Sequence, residues 1–267
     1  MIRMIASDLD KTLIGASGRL TDFTADVIRK SQKSGVRWVL ATGRGFETVD
    51  PVLTAGNVNM DLILLNGAQY ISIDGQTRYY EALDRLLCRE LISFLLERKI
   101  DIELNTSAGN YATAPRIMDD SSDILPFDSY REDTSRVMKI FAFSKFTDRI
   151  EEARVQLAGN PEIHVTSSAA WNLELNSPVV NKARMLKKLA MELHIAEDEI
   201  MVFGDGENDI SLFENFRHSR AVFNSVPEIK NLAERVIESC DHDGVAKEIM
   251  RMHSAFMFAS TYQLEDS

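Results

Sequence analysis

Cysteine is scarce in this chain: Cys88 and Cys240 are the whole complement, with no CxxC pair and no Cys/His spacing of the metal-site kind. A disulfide scaffold and a zinc ribbon are thereby excluded, and two reduced structural thiols are expected. No stretch approaches the roughly 18 consecutive apolar residues of a membrane span. The apolar run at the N-terminus is cut by Asp8, so no signal peptide is read there and a cytoplasmic protein is expected. Basic charge is in deficit, 30 Lys and Arg against 41 Asp and Glu, for a net charge of -11. That balance argues against nucleic acid or an anionic membrane as partner. It leaves room for a small anionic substrate, because local positive charge at a site can outweigh the global field. Internal repeats and low-complexity segments are also missing.

What is present is an ordinary globular composition, 45% hydrophobic and 27% charged, in 267 residues. The most informative run is Asp8-Leu9-Asp10-Lys11-Thr12-Leu13, directly after the strand-like Met4–Ser7. Two carboxylates two residues apart on an extended segment point the same way. At the carboxyl end of a parallel strand they project into the crevice where α/β proteins bind ligands. Like charges that close need a cation, or one must take a proton. Three more polar clusters end apolar runs: Thr42-Gly43-Arg44 after Trp38–Ala41, Asn181-Lys182 after Val179-Val180, and Gly204-Asp205-Gly206-Glu207-Asn208-Asp209 after Ile200–Phe203.

The order of elements follows from the same pattern. A helix is expected from Thr21 to Ser34, stopped by Gly35, then a strand over Val36–Ala41. A second helix is expected over Phe46–Thr54, with Pro51 tolerable only in its first turn or at a kink. A strand over Leu62–Leu65 ends in Asn66-Gly67. This βαβαβ alternation implies a parallel sheet with right-handed crossovers. Asp74-Gly75 then signals a hairpin. The middle of the chain mixes short strands with two helices, and alternation resumes at Asn181. The fold class expected is α/β: a doubly wound, Rossmann-like core over 1–83 and 179–267, with an inserted α+β cap over 84–178. The tail beyond Met252 reads as weakly structured.

In this order and spacing the four clusters closely resemble the haloacid dehalogenase superfamily, and within it the Cof-like phosphatases with a large inserted cap. The resemblance spans essentially the whole chain. It implies a Mg²⁺-dependent phosphatase of small phosphorylated metabolites, with sugar phosphates first among candidates. Asp8 would be the nucleophile, forming an aspartyl-phosphate, and Asp10 the general acid and base. Asp8, Asp10, Asp205 and Asp209 would hold the Mg²⁺, for which an all-oxygen donor set is suited. Thr42 would bond a phosphate oxygen, while a helix N-cap role for it stays open. Lys182 would neutralise the phosphoryl group; Lys187 and Lys188 read as solvated helix lysines. Thr42, Gly43, Arg44, Asn66, Gly67 and Asn208 would line the substrate. The resemblance also marks departures: Lys11 stands where glycine is commonest, Phe223 replaces a glycine and Cys240 an asparagine in the late loops. Asn224 and Lys230 match its late Asn…Lys pair.

A cap would exclude water and read the leaving group. Asn172, Glu174 and Asn176 alternate with Leu173 and Leu175, and are expected as a solvated strand face. Runner-up readings are a phosphatase of a cofactor or nucleotide monophosphate, and a phosphotransferase or mutase. A non-catalytic ligand-binding protein should have lost a catalytic residue, and a phosphoacceptor domain would need neither cap nor Asp10. Monomer and homodimer both stay open.

Overall fold

The computed structural model describes residues 1–115 and 124–252; the tail beyond Met252 lies outside the described residues. In chain order the elements are β1 (Met4–Ser7), α1 (Asp22–Lys33), β2 (Arg37–Ala41), α2 (Phe46–Gly56), β3 (Asp61–Leu64), β4 (Gln69–Ile71) and β5 (Thr77–Tyr80). There follow α3 (Arg85–Glu97), β6 (Asp101–Thr106), β7 (Gly109–Ala112), β8 (Ile124–Pro126), β9 (Val137–Phe143), α4 (Thr147–Leu157), β10 (His164–Thr166) and β11 (Asn172–Asn176). The last part holds α5 (Lys182–Glu192), β12 (Ile200–Gly204), α6 (Ile210–Asn215), β13 (His218–Val222), α7 (Pro227–Leu232) and β14 (Arg235–Ile237). A final helix, α8, spans 244–252. The chain divides into two compact units, one of 1–40, 51–60 and 190–267, the other of 41–50 and 61–189.

The first unit carries parallel strands in the order β14-β13-β12-β1-β2. Each strand of β1 and β12 is fully buried, as expected of a sheet covered on both faces. The chain leaves β1 toward β2 on one side and returns as β12 on the other. The direction of winding therefore reverses between β1 and β12, and a crevice opens at their carboxyl ends. Helix α1 starts where Thr21 accepts the N–H of Thr24, and it buries Val27 and Ile28. Full burial of such a side chain contributes about 1.5–3 kcal/mol. Pro51 departs from expectation: it sits in the interior of α2, where its ring removes the N–H that would reach back to Glu47.

The second unit pairs β3, β4 and β5 as an antiparallel ribbon, with Gly75 at φ +81 in the expected turn. It also holds a six-stranded sheet in the order β10-β11-β9-β6-β7-β8. That sheet is antiparallel except for β7 with β8. Asp84 caps α3 by accepting the N–H groups of Leu86 and Leu87. Leu91 and Leu95 of α3, with Ile150 and Ala153 of α4, pack on Ile102, Leu104, Ile140, Ala142, Leu173 and Leu175. Those residues alternate along their strands, so one face of the sheet is its apolar core. The short β8 and β14 carry no strand signal of their own. Strands of three residues are set by the neighbour they pair with, not by local pattern.

Candidate active site

In the first unit, the Asp8 N–H donates to the Phe203 carbonyl at 3.0 Å, one step beyond β1. Asp8 is thus held at the carboxyl end of β1, beside the end of β12. The chain then turns tightly: the Leu9 carbonyl accepts the N–H groups of Thr12, Leu13 and Ile14 at 3.4, 3.0 and 2.9 Å. Lys11 takes a left-handed φ of 57 in that turn. This conformation costs a side-chain-bearing residue about 1 kcal/mol and explains the kinship of the position with glycine. Asn224 braces it, donating to the Lys11 carbonyl at 2.7 Å and accepting the Cys240 N–H at 3.1 Å. Cys240 takes part through its backbone, which is why a cysteine suffices there. Burial, with the charges of Asp241 and Asp205, pushes its thiol up, so it stays protonated. Phe223 is exposed, with the Lys230 ammonium 5.0 Å from its ring centre.

Asp205 and Asp209 belong to one tight loop after β12. Asp209 Oδ2 accepts the N–H groups of Asp205 at 2.9 Å and Gly206 at 3.2 Å. A Cβ at Gly204 would lie 2.6 Å from the Asp209 carboxylate, so that approach needs glycine. Thr12 donates to Asp205 Oδ1 at 3.2 Å, a contact the motif reading did not single out. The carboxylates of Asp8, Asp205 and Asp209 each offer an oxygen within 4.8 Å of the others. Asp8 and Asp209 are buried and Asp205 half-buried. Three such charges need a compensating cation, and their hard oxygens suit a divalent one. Asp10 is half-buried in the turn, bridged to Ile14, and its carboxylate lies outside that trio. Asn208 is half-buried on the same loop.

In the second unit, two backbone loops are zipped together. The Thr42 N–H donates to Ile63 at 2.9 Å, Asn66 to the Thr42 carbonyl at 3.0 Å, and Leu65 to the Arg44 carbonyl at 3.0 Å. Thr42 Oγ1 accepts the Arg44 N–H at 3.2 Å. Since α2 begins at Phe46, Thr42 lies too early to cap it, and that alternative falls. The Arg44 guanidinium donates to the Thr48 carbonyl at 3.1 Å. Gly67, at φ +106, presses on the start of α5: a Cβ there would sit 2.5 Å from the Asn181 carbonyl oxygen. Asn181 caps α5 by accepting the Arg184 N–H at 2.8 Å. Next to it Lys182 is 0% exposed, unlike a solvated helix lysine. Lys188 is exposed and lies 3.7 Å from the Tyr79 ring centre. Thr42, Gly43, Arg44, Asn66, Gly67 and Lys182 therefore lie on three backbone segments held against one another.

The expectation of a solvated polar face on β11 is overturned. Asn172, Glu174 and Asn176 are all buried. Asn66 Nδ2 donates to Glu174 Oε2 at 2.7 Å, and Asn176 Nδ2 to the Leu65 carbonyl at 3.2 Å. Lys139 of β9, also buried, donates to the Gly43 carbonyl at 2.6 Å and pairs with Glu174 at 3.4 Å. Glu103 and Asn105 of β6 are buried on the same face. A period-2 polar pattern shows which residues share a face, not whether water covers it.

A family model described as haloacid dehalogenase-like hydrolase matches residues 5–249. The chain belongs to that family. Phosphatase YwpJ of Bacillus subtilis is 24% identical over 278 residues, covering 92% of this chain and 98% of that protein. The 5-amino-6-(5-phospho-D-ribitylamino)uracil phosphatase YcsE of the same organism is 27% identical over 251 residues, covering 93% and 94%. Among solved structures, a haloacid dehalogenase-like hydrolase from B. subtilis superposes with a TM-score of 0.86 at 24% identity, covering 93% of this chain and 99% of that one. A subclass IIB sugar phosphatase gives 0.81 at 18% identity, covering 94% and 99%. Both share the fold. Among the described residues no helix is long and apolar enough to cross a membrane.

Proposed function

We propose that the chain is a Mg²⁺-dependent phosphatase of small phosphorylated metabolites, sugar phosphates foremost, acting through an aspartyl-phosphate on Asp8. The observation that carries this reading is the trio of Asp8, Asp205 and Asp209 at the crevice between β1 and β12. Membership of the family, and relatives that are named phosphatases, support it. Bound Mg²⁺ would supply charge neutralisation on the phosphoryl oxygens. Asp8 attacks phosphorus, and the P–O bond to the leaving group breaks. Asp10, on its turn outside the trio, gives a proton to the leaving alkoxide and then takes one from the hydrolytic water. Thr42 and Lys182 bind phosphoryl oxygens, with Gly43, Arg44, Asn66, Gly67 and Asn208 lining the substrate. The segment 84–178 serves as cap to a core of 1–83 and 179–267, in a cytoplasmic monomer or homodimer without nucleic-acid or membrane partners.

Phosphate release from a panel of phosphorylated metabolites, with and without Mg²⁺, tests this reading against Asp8→Asn. Metal-dependent release lost in the variant is expected. Release that survives Asp8→Asn would refute the covalent route, and no release from any member by folded, metal-loaded protein would refute the phosphatase. The panel includes the phosphoribitylaminouracil named for the relatives. The rings of Phe141 and Trp171, packed edge to face with their centres 6.0 Å apart, favour that flat-ringed polyol as a second candidate.

A further inference from the structure

The segment joining β8 to β9 runs beside helix α3, and its polar edge is stapled there. The Arg85 guanidinium donates to the Asp133 carbonyl at 3.1 Å, and Arg89 meets the Glu132 carboxylate with two bonds, at 2.8 and 3.2 Å. Where the two begin to converge, the Leu83 N–H donates to the Val137 carbonyl at 2.8 Å. The apolar edge is not filled. Between α3 and this segment lies a recess of about 190 Å³, wholly within the second unit. A cavity of about 150 Å³ already admits a benzene-sized molecule. Ile92, Phe127 and Tyr130, all half-buried, form its walls, the two rings stacked with centres 6.2 Å apart. Burial pushes the Cys88 thiol and the Tyr130 hydroxyl each up to about 12, so both line the recess uncharged.

One atom of the lining is left over. Ser135 is 2% exposed, and its N–H is satisfied by the Arg131 carbonyl at 3.1 Å. Its Oγ, in the wall of the recess, is buried with no hydrogen-bond partner among the described residues. A buried hydroxyl left unbonded costs about 1–3 kcal/mol, which an alanine there would avoid. Such an atom calls for a partner from outside the chain. Charge gathers at the mouth. Three exposed guanidiniums, of Arg85, Arg89 and Arg136, line it against one carboxylate, Glu132, which Arg89 already pairs. Asp84 and Asp133 are neighbours along the chain, but Asp84 spends its carboxylate on the cap of α3 and neither lines the recess. Two positive charges are thus in excess among the lining groups, in a chain of net charge -11. Guanidinium forks match the paired oxygens of an anionic group.

We infer that this recess is a ligand site for a ring-sized organic anion. The ring lies against Ile92, Phe127 and Tyr130, a polar atom at its inner end bonds Ser135 Oγ, and its anionic group meets Arg85 and Arg136. A neutral ring of the same size forgoes the mouth. An anion without the inner polar atom leaves Ser135 unsatisfied. None of these residues belongs to the four polar clusters, and the site stands whether or not the chain is a phosphatase.

Calorimetry in chelator, where no metal at the aspartates draws a carboxylate, compares 4-hydroxybenzoate, benzoate and 4-hydroxybenzyl alcohol. The first is expected to bind at least about tenfold more tightly than either of the others, each of which lacks one of the two polar contacts. It should slow thiol labelling of Cys88, read by mass spectrometry, and leave labelling of Cys240 in the first unit unchanged. Ser135→Leu, which fills the recess, should weaken 4-hydroxybenzoate by about tenfold or more. Arg136→Glu should do the same while leaving the affinity for the alcohol as it is. No binding of 4-hydroxybenzoate, or binding that does not slow Cys88 labelling, would overturn the inference. The recess would then hold water only, and Ser135→Ala would raise the urea midpoint with no ligand site lost. Equal affinity in a Ser135→Leu protein of wild-type urea midpoint would overturn it as well. Should Ser135→Leu fail to fold, Arg136→Glu on the exposed rim decides: an unchanged affinity for 4-hydroxybenzoate refutes the site.

Discussion

Replacing Asp8 by Asn should make the metal-free protein more stable while ending its turnover. The three carboxylates of the trio lie within 4.8 Å of one another, and Asp8 takes part in two of the pairs. Two unit charges at that separation repel by about 3.5 kcal/mol at an effective dielectric near 20. Asp205 is half-buried, so water screens its share, and two backbone N–H groups already compensate Asp209. A net relief of about 1–3 kcal/mol remains, since Asn keeps the size and shape of the side chain. The assay is urea unfolding in chelator and in saturating Mg²⁺, for both proteins. Wild type should gain stability with Mg²⁺ as mass action requires, and the variant should gain far less, because a neutral amide oxygen is a weaker ligand. A variant that is no more stable in chelator, and gains as much from Mg²⁺ as wild type, would show that the trio is not a charged cation site. Sites that store such repulsion trade stability for function.

Other perturbations probe the scaffold. Gly67→Ala should cost about 2–4 kcal/mol and reduce activity with it, because alanine at φ +106 is strained and its Cβ would stand 2.5 Å from the Asn181 carbonyl oxygen; an unchanged urea midpoint would mean the two loops separate freely. Burial pushes the Glu248 carboxyl up, but hydrogen bonds and charge from Arg251 and Arg220 outweigh it and hold the group below its ordinary value. Its stabilisation is therefore complete above about pH 4.5 and lost as pH falls through the lowered folded value. Glu248→Gln should cost about 3 kcal/mol at neutral pH and flatten the acid limb of the stability profile; an unaltered limb would assign acid sensitivity elsewhere. The Cys88 thiol is pushed up to about 12 by burial, with the charges of Glu132 and Asp84 adding to it. Above about pH 8.5 the unfolded chain releases that proton and the folded chain keeps it, so stability falls by at most about 1.4 kcal/mol per pH unit. Cys88→Ala should remove that slope, and thiol reagents should label Cys88 in the native protein only as fast as it opens.

The sequence by itself determined the elements and their order wherever a pattern is local. Buried strands such as Ile200–Gly204 read as unbroken apolar runs, Gly35 as the stop of α1, and Asp74-Gly75 as a turn, because helix stops, turns and burial periods depend on neighbours within a few residues. The four polar clusters could be found from their order along the chain, and Asp8, Asp205 and Asp209 do share one crevice. Tertiary structure decided what no local pattern encodes. Whether β11's polar face meets water depends on the loops at Gly43 and Leu65 that close on it, residues far off in sequence. The burial of Lys182 and the bracing of Lys11 by Asn224 are likewise settled by packing across long chain separations. Lys139, Glu103 and Asn105 gave no motif, since a charged or amide residue on a strand looks the same in sequence whether it faces solvent or is buried. Only the register of three strands, and the loops that close on them, separate the two cases.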